Sequence, residues 1–191
     1  MNRLLRTGFD TFVTSITPIA IWFLLGVLID RNLINIFTLI YPVQFIISSI
    51  RSIFGVGANI SAIRDKTKES VFSGIICGAT LGFIILGYII LNIDKYINFM
   101  NMDSNIYRTF AIYAVAQMFL QLLLNLSLCK LYYENKHKIA NKCSFTFNLI
   151  NFLSLIIMSI ITKNQIQITI ISFIITAIFV LIIMFKTIEK T

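Results

Sequence analysis

Apolar runs broken by short polar clusters set the rhythm of this chain. The runs cover residues 9–29, 33–62, 71–92, 106–129, 140–161 and 167–185. A helix needs about twenty apolar residues to cross the hydrocarbon of a bilayer. The pattern therefore predicts an all-α membrane protein, a six-transmembrane-helix bundle formed as a single domain over 1–191. The second run is too long for one straight crossing and contains Pro42, which predicts a kink, a tilt or an extension beyond the membrane.

Three faces stand out within the runs. In the third, Gly74, Gly78 and Gly82 recur every four positions, a small-residue stripe that lets a neighbouring backbone come close. In the fourth, Gln117, Gln121 and Asn125 share a face, and in the fifth Ser144, Asn148 and Asn151 do the same. An amide in hydrocarbon must find a partner or water. The stripes thus have two readings, hydrogen bonding from helix to helix or the lining of a wet cavity; amides in line over about 12 Å would suit a solute path.

Composition strengthens the membrane reading. Of the 191 residues, 58% are hydrophobic and 13% charged, and the mean hydropathy is +0.87, above that of ordinary soluble domains. The net charge of +8 does not indicate nucleic acid, because the basic residues are scattered between apolar runs. Sorted by topology, Arg3, Arg6, Arg64, Lys66, Lys68, Lys130, Lys136, Lys138, Lys142, Lys186 and Lys190 fall on one side, and Arg31, Lys95, Arg108 and Lys163 on the other. By the positive-inside rule both termini are cytoplasmic. The opening "MNRLLRTGFDTFVTSITPIAIWFLLGVLID" has the basic start of a signal peptide, but Asp10 interrupts its apolar part and no small-residue cleavage site follows, so it reads as an uncleaved first span.

Catalytic chemistry is hard to assemble from this inventory. There is no phosphate-binding glycine loop, HExxH pair or CxxC motif, and the lone His137 sits in a basic loop, so the chain reads as a non-enzyme without metal or other cofactor. Cys77, Cys129 and Cys143 show no metal-type spacing and read as reduced packing residues.

One charge is out of place. In "SSIRSIFGVGANISAIRDKTKES", residues 48–70, Arg51 stands inside the second span. An ionised side chain at membrane depth costs at least about 2.5–3.5 kcal/mol, and so marks a candidate functional site. Arg51 is about 20 Å along the helix from Arg64, which predicts that it faces the bundle interior. It would line the same space as the amides, holding an anionic group or pairing with Asp10 or Asp30. The competing readings are a buried ion pair, or a break near Gly55 that brings Arg51 to the headgroups.

The stretch "IFTLIYPVQFIISSIRSIFGVGANISAIRDKTKESVFSGIICGATLG" resembles the start of the multidrug and toxic compound extrusion (MATE) transporters. Pro42 and Gln44, Gly55, Gly57, Ser61 and the loop "RDKTKE" stand where that family has a Pro-hydrophobic-Gln segment, a glycine-rich stretch and a charged cytoplasmic loop. The run "YINFMNMDSNIYRTFAIYAVAQMFLQLLLNLSLCKLYYENKHKIANKCSFTFNLINFLSLII" resembles the segment that follows, with its Asn-rich fifth helix.

The resemblance implies one six-helix lobe of a two-lobe antiporter in the plasma membrane. Such a protein exports amphipathic or cationic small molecules against H+ or Na+, with a second lobe or a homodimer completing the path. Its cavity residues would be Arg51, Asn59, Gln117, Gln121, Asn125, Asn148 and Asn151, with Asp30 and Asp10 as coupling carboxylates. The alternatives are a lipid-linked oligosaccharide flippase of the same superfamily, and a non-transporting partner or truncated remnant.

Overall fold

Where an apolar run excludes water, the backbone must satisfy its own N–H and C=O groups, and these segments do so as helices. The structure, a computed structural model, describes residues 19–65, 69–101 and 105–188. Helix α1 is Ile19–Leu28, and a 3-10 turn, Arg31–Asn35, leads into α2, Ile36–Ile50. A π-helical segment, Arg51–Val56, then joins α2 to α3, Gly57–Asp65. The remaining helices are α4 Glu69–Leu91, α5 Ile93–Phe99, α6 Asn105–Tyr133, α7 His137–Ile161 and α8 Gln165–Ile188.

Among the described residues five helical stretches are long and apolar enough to cross a membrane: Arg31–Asp65, Glu69–Leu91, Asn105–Tyr133, His137–Ile161 and Gln165–Thr187. The remaining expected span, 9–29, lies partly outside the described residues, and its described part is α1. The described residues are therefore all-helical and compatible with a membrane bundle.

The long second span departs from expectation in where its irregularity falls. Helix α2 continues through Pro42, whose ring faces the exposed side, and the change of winding comes at Arg51–Val56. There the Gly57 N–H donates to the Ser52 carbonyl five residues back, which is the π-helical bond. Helix α5 falls between the expected spans 71–92 and 106–129. It forms because Ile93 and Ile97, one turn apart, are buried while Asp94, Lys95 and Asn98 face out.

Helix α6 is the hub. Of its apolar window 67% is buried, against 22–39% for the other long stretches, because its apolar residues lie all round the helix. Trp22 of α1 meets Phe110 of α6 edge-on, with centroids 6.4 Å apart. The glycine stripe of α4 receives the other neighbours. A Cβ at Gly74 would stand 2.2 Å from the Phe54 carbonyl oxygen, one at Gly78 would stand 3.0 Å from Leu126 and Phe54, and one at Gly82 would stand 2.2 Å from Leu122 Cδ2. Absent side chains thus seat α4 on both the π segment and α6, the close packing that the spacing predicts.

Polar ties mark the two ends of the bundle. At one end Arg108 Nε donates to Asp94 Oδ1 (2.6 Å), and the Thr38 and Tyr96 hydroxyls share a hydrogen bond (2.8 Å). At the other, Asn59 Nδ2 donates to the Cys129 carbonyl (2.8 Å) and Lys130 Nζ donates to the Thr187 carbonyl. Lys130, expected among the loop cations, is buried there, because its ammonium caps a carbonyl in the last turn of α8 where the helix dipole favours a cation.

Candidate functional site

The amide stripes of α6 and α7 meet in a polar seam. Tyr113 and Gln117 are four residues apart on α6 and so share a face. The Tyr113 hydroxyl donates to Asn151 Oδ1 of α7 (2.7 Å) and accepts from Gln117 Nε2 (2.9 Å). Gln117 Nε2 also donates to Thr176 Oγ1 of α8 (2.7 Å), and the threonine hydroxyl is within donating distance of the Ser172 carbonyl (2.9 Å). Three helices are joined by two amides and two hydroxyls in an apolar interior. Gln117 Oε1 and Ser172 Oγ, both buried, have no hydrogen-bond partner among the described residues.

Beside this seam lies a cavity of about 40 Å³, lined by Trp22 and Ile40 and by the polar residues Tyr113, Gln117, Gln121, Asn148 and Asn151. A water needs about 10–15 Å³ of such space, so this conformation has room for about three waters rather than for an amphipathic drug. No charged residue lines it among the described residues. Asn148 is buried and donates to the Ser144 carbonyl in its own helix (3.0 Å). Both readings of the stripes therefore apply at once: Gln117 and Asn151 are bonded between helices, and with Gln121 and Asn148 they line a cavity.

Other residues expected at this site lie elsewhere. Asn125 is half-buried on α6, outside the cavity lining. Asn59 is bonded to Cys129, twelve residues beyond Gln117 on α6 and thus about 18 Å away along the axis. Arg51 is half-buried with its guanidinium against the Cys129 thiol, at that same level. The expectation that Arg51 and the amides share one space is corrected: the helix register places them in separate layers. A pairing of Arg51 with Asp30 is excluded for the same reason. Asp30 Oδ1 accepts from the Asn32 N–H (2.8 Å) as the cap of the 3-10 turn, about 30 Å down the helix from Arg51. Asp10 lies outside the described residues.

Among the described residues the carboxylates keep to helix ends. Asp65 pairs with Arg64, Asp94 with Arg108 and Glu134 with Lys136, while Glu69 opens α4. Among the described residues no three His, Cys, Asp or Glu side chains come together as metal ligands do. No protein-family model, curated protein or solved structure matches the chain.

Sequence reasoning passed over two partners that carried a signal. Tyr113 sits four residues before Gln117 and extends its stripe by a turn, while Thr169, Ser172 and Thr176 form a hydroxyl face along α8. Tyrosine and threonine pass as apolar in a hydropathy pattern, which hides their hydroxyls.

Proposed function

We propose that the chain is one lobe of a membrane transporter of the MATE type, moving amphipathic or cationic small molecules across the plasma membrane by cation-coupled antiport. The observation that supports this reading is the uncharged cavity beside the Tyr113–Gln117–Asn151–Thr176 seam, a set of neutral hydrogen-bonding groups within apolar helices. Polar groups at membrane depth are expensive and mark solute or ion pathways. In this proposal the small cavity widens when the lobe rocks against a second lobe or a second copy of the chain. Among the described residues the lining carries none of the cations that a lipid-linked oligosaccharide flippase would set along its path, which favours the efflux reading.

Among the described residues no carboxylate lines the cavity, and the coupling carboxylate expected at Asp10 lies outside them. The test is transport of fluorescent cationic amphiphiles in vesicles under an imposed proton or sodium gradient. Gln121→Leu is expected to change the ratio of two substrates by up to about tenfold, the worth of one hydrogen bond, while leaving the amount of inserted protein unchanged. Gradient-independent leakage, or an effect that only tracks abundance, would refute the proposal.

A further inference from the structure

Among the described residues Arg51 is a cation without an anion. Among the described residues the ion pairs are Arg64–Asp65, Arg108–Asp94 and Lys136–Glu134, so no carboxylate reaches Arg51. Its Nε is buried and makes no hydrogen bond among the described residues. The group it faces is the Cys129 thiol, a weak acceptor that leaves most of the five guanidinium donors unused. The thiol itself is there because residue 55 is glycine: a Cβ at Gly55 would stand 2.6 Å from Cys129 Sγ. Ser48, one turn back on the same helix, and the adjacent Ser52 are exposed and supply hydroxyl donors on an otherwise apolar surface.

Depth decides what kind of anion is within reach. Cys129 precedes Lys130, whose ammonium binds the Thr187 carbonyl next to Lys186, and the Cys129 carbonyl holds Asn59. The Arg51 guanidinium therefore lies at the end of the bundle that carries Lys130 and Lys186, where a long cationic side chain can reach towards a lipid surface. We propose that Arg51, flanked by Ser48 and Ser52, is a binding site for a phosphate anion, in the bilayer the phosphate of an acidic phospholipid. The guanidinium fork matches phosphate oxygens in pairs, and the bound anion offsets the cost of a half-buried charge. The site lies about 18 Å from the amide cavity and does not depend on the transport reading.

The experiment uses the full chain in nanodiscs of phosphatidylcholine with or without phosphatidylglycerol. Thermal melting is read in parallel with native mass spectrometry of retained lipid. The wild-type chain is expected to melt higher with phosphatidylglycerol and to retain it in preference to phosphatidylcholine. Arg51→Gln is expected to lower that preference at least about tenfold and Arg51→Lys by less, while Lys138→Gln, on an exposed helix end, leaves it intact. Inorganic phosphate added to phosphatidylcholine discs separates the sources. If it reproduces the shift, the site takes free phosphate; if only phosphatidylglycerol acts, the ligand is the headgroup. Equal retention of both lipids by the wild-type chain overturns the proposal, and that comparison stands even if Arg51→Gln does not fold. An equal loss in Lys138→Gln also overturns it, because the preference would then belong to the whole basic surface.

Discussion

Gly74 of α4 rests on the backbone of Phe54, in the π segment: a Cβ at residue 74 would stand 2.2 Å from the Phe54 carbonyl oxygen and 2.5 Å from the Ala58 Cβ. A backbone oxygen cannot rotate away, so Gly74→Ala must push α4 off its neighbour. The expected loss is about 1–3 kcal/mol. Gly87→Ala, with nothing within 4 Å of the new methyl, should be neutral or stabilising by up to about 1 kcal/mol, since glycine is the poorer helix former. Melting both variants in detergent checks the contrast; equal effects would mean that α4 is not seated as described.

Gly55 and Cys129 provide a second steric pair with a different remedy. The atom that meets a Cβ at Gly55 is Sγ, at 2.6 Å, and the next is Cys129 Cβ at 3.6 Å. Gly55→Ala should destabilise the protein alone, and Cys129→Ala should relieve it, with a coupling of about 0.5–3 kcal/mol in a double-mutant cycle. Simple additivity would separate the two residues.

The seam predicts non-additive losses as well. Gln117→Leu removes both amide bonds and should cost about 0.6–1.7 kcal/mol, in the range of hydrogen bonds between membrane helices. Once it is made, Thr176→Val should add less than it costs alone, because its interhelical bond is already gone. Unfolding in mixed micelles measures both.

The Asp94–Arg108 pair, by contrast, should contribute little. Both side chains are more than half exposed (58% and 54%), so Arg108→Ala is expected to cost about 0–1 kcal/mol, and less at high salt. A large, salt-independent loss would show that the pair is shielded in the assembled protein.

Orientation is open to labelling. Cysteine in place of Asn164, between α7 and α8, should react with an impermeant reagent from outside the cell, while Asn135→Cys, between α6 and α7, should not. Reaction at residue 135 in intact cells would invert the topology.

The candidate site was legible in part. Gln117, Gln121, Asn148 and Asn151 share one cavity, as their shared faces suggested, because two neighbouring helices with polar stripes in hydrocarbon turn those stripes towards each other. Asn125 continues the same stripe and yet falls outside the lining, because α6 runs on past the cavity towards Cys129 and Lys130.

Run length and helical period by themselves determined the class of the protein, the place of its long helices within a few residues and the packing face of Gly74, Gly78 and Gly82, since these are properties of one helix at a time. Tertiary structure alone decided which faces meet and at what height. Arg51 and Gln117 both look like interior residues in the sequence. How far each helix is shifted along its neighbour depends on contacts such as Gly55 on Cys129 and Gly74 on Phe54, and that shift leaves the arginine at the basic end and the amides a layer away. The change of winding at Arg51–Val56 has the same origin. A π bond gains its place only when the surrounding helices pack better with it, and no pattern within a single helix records that preference.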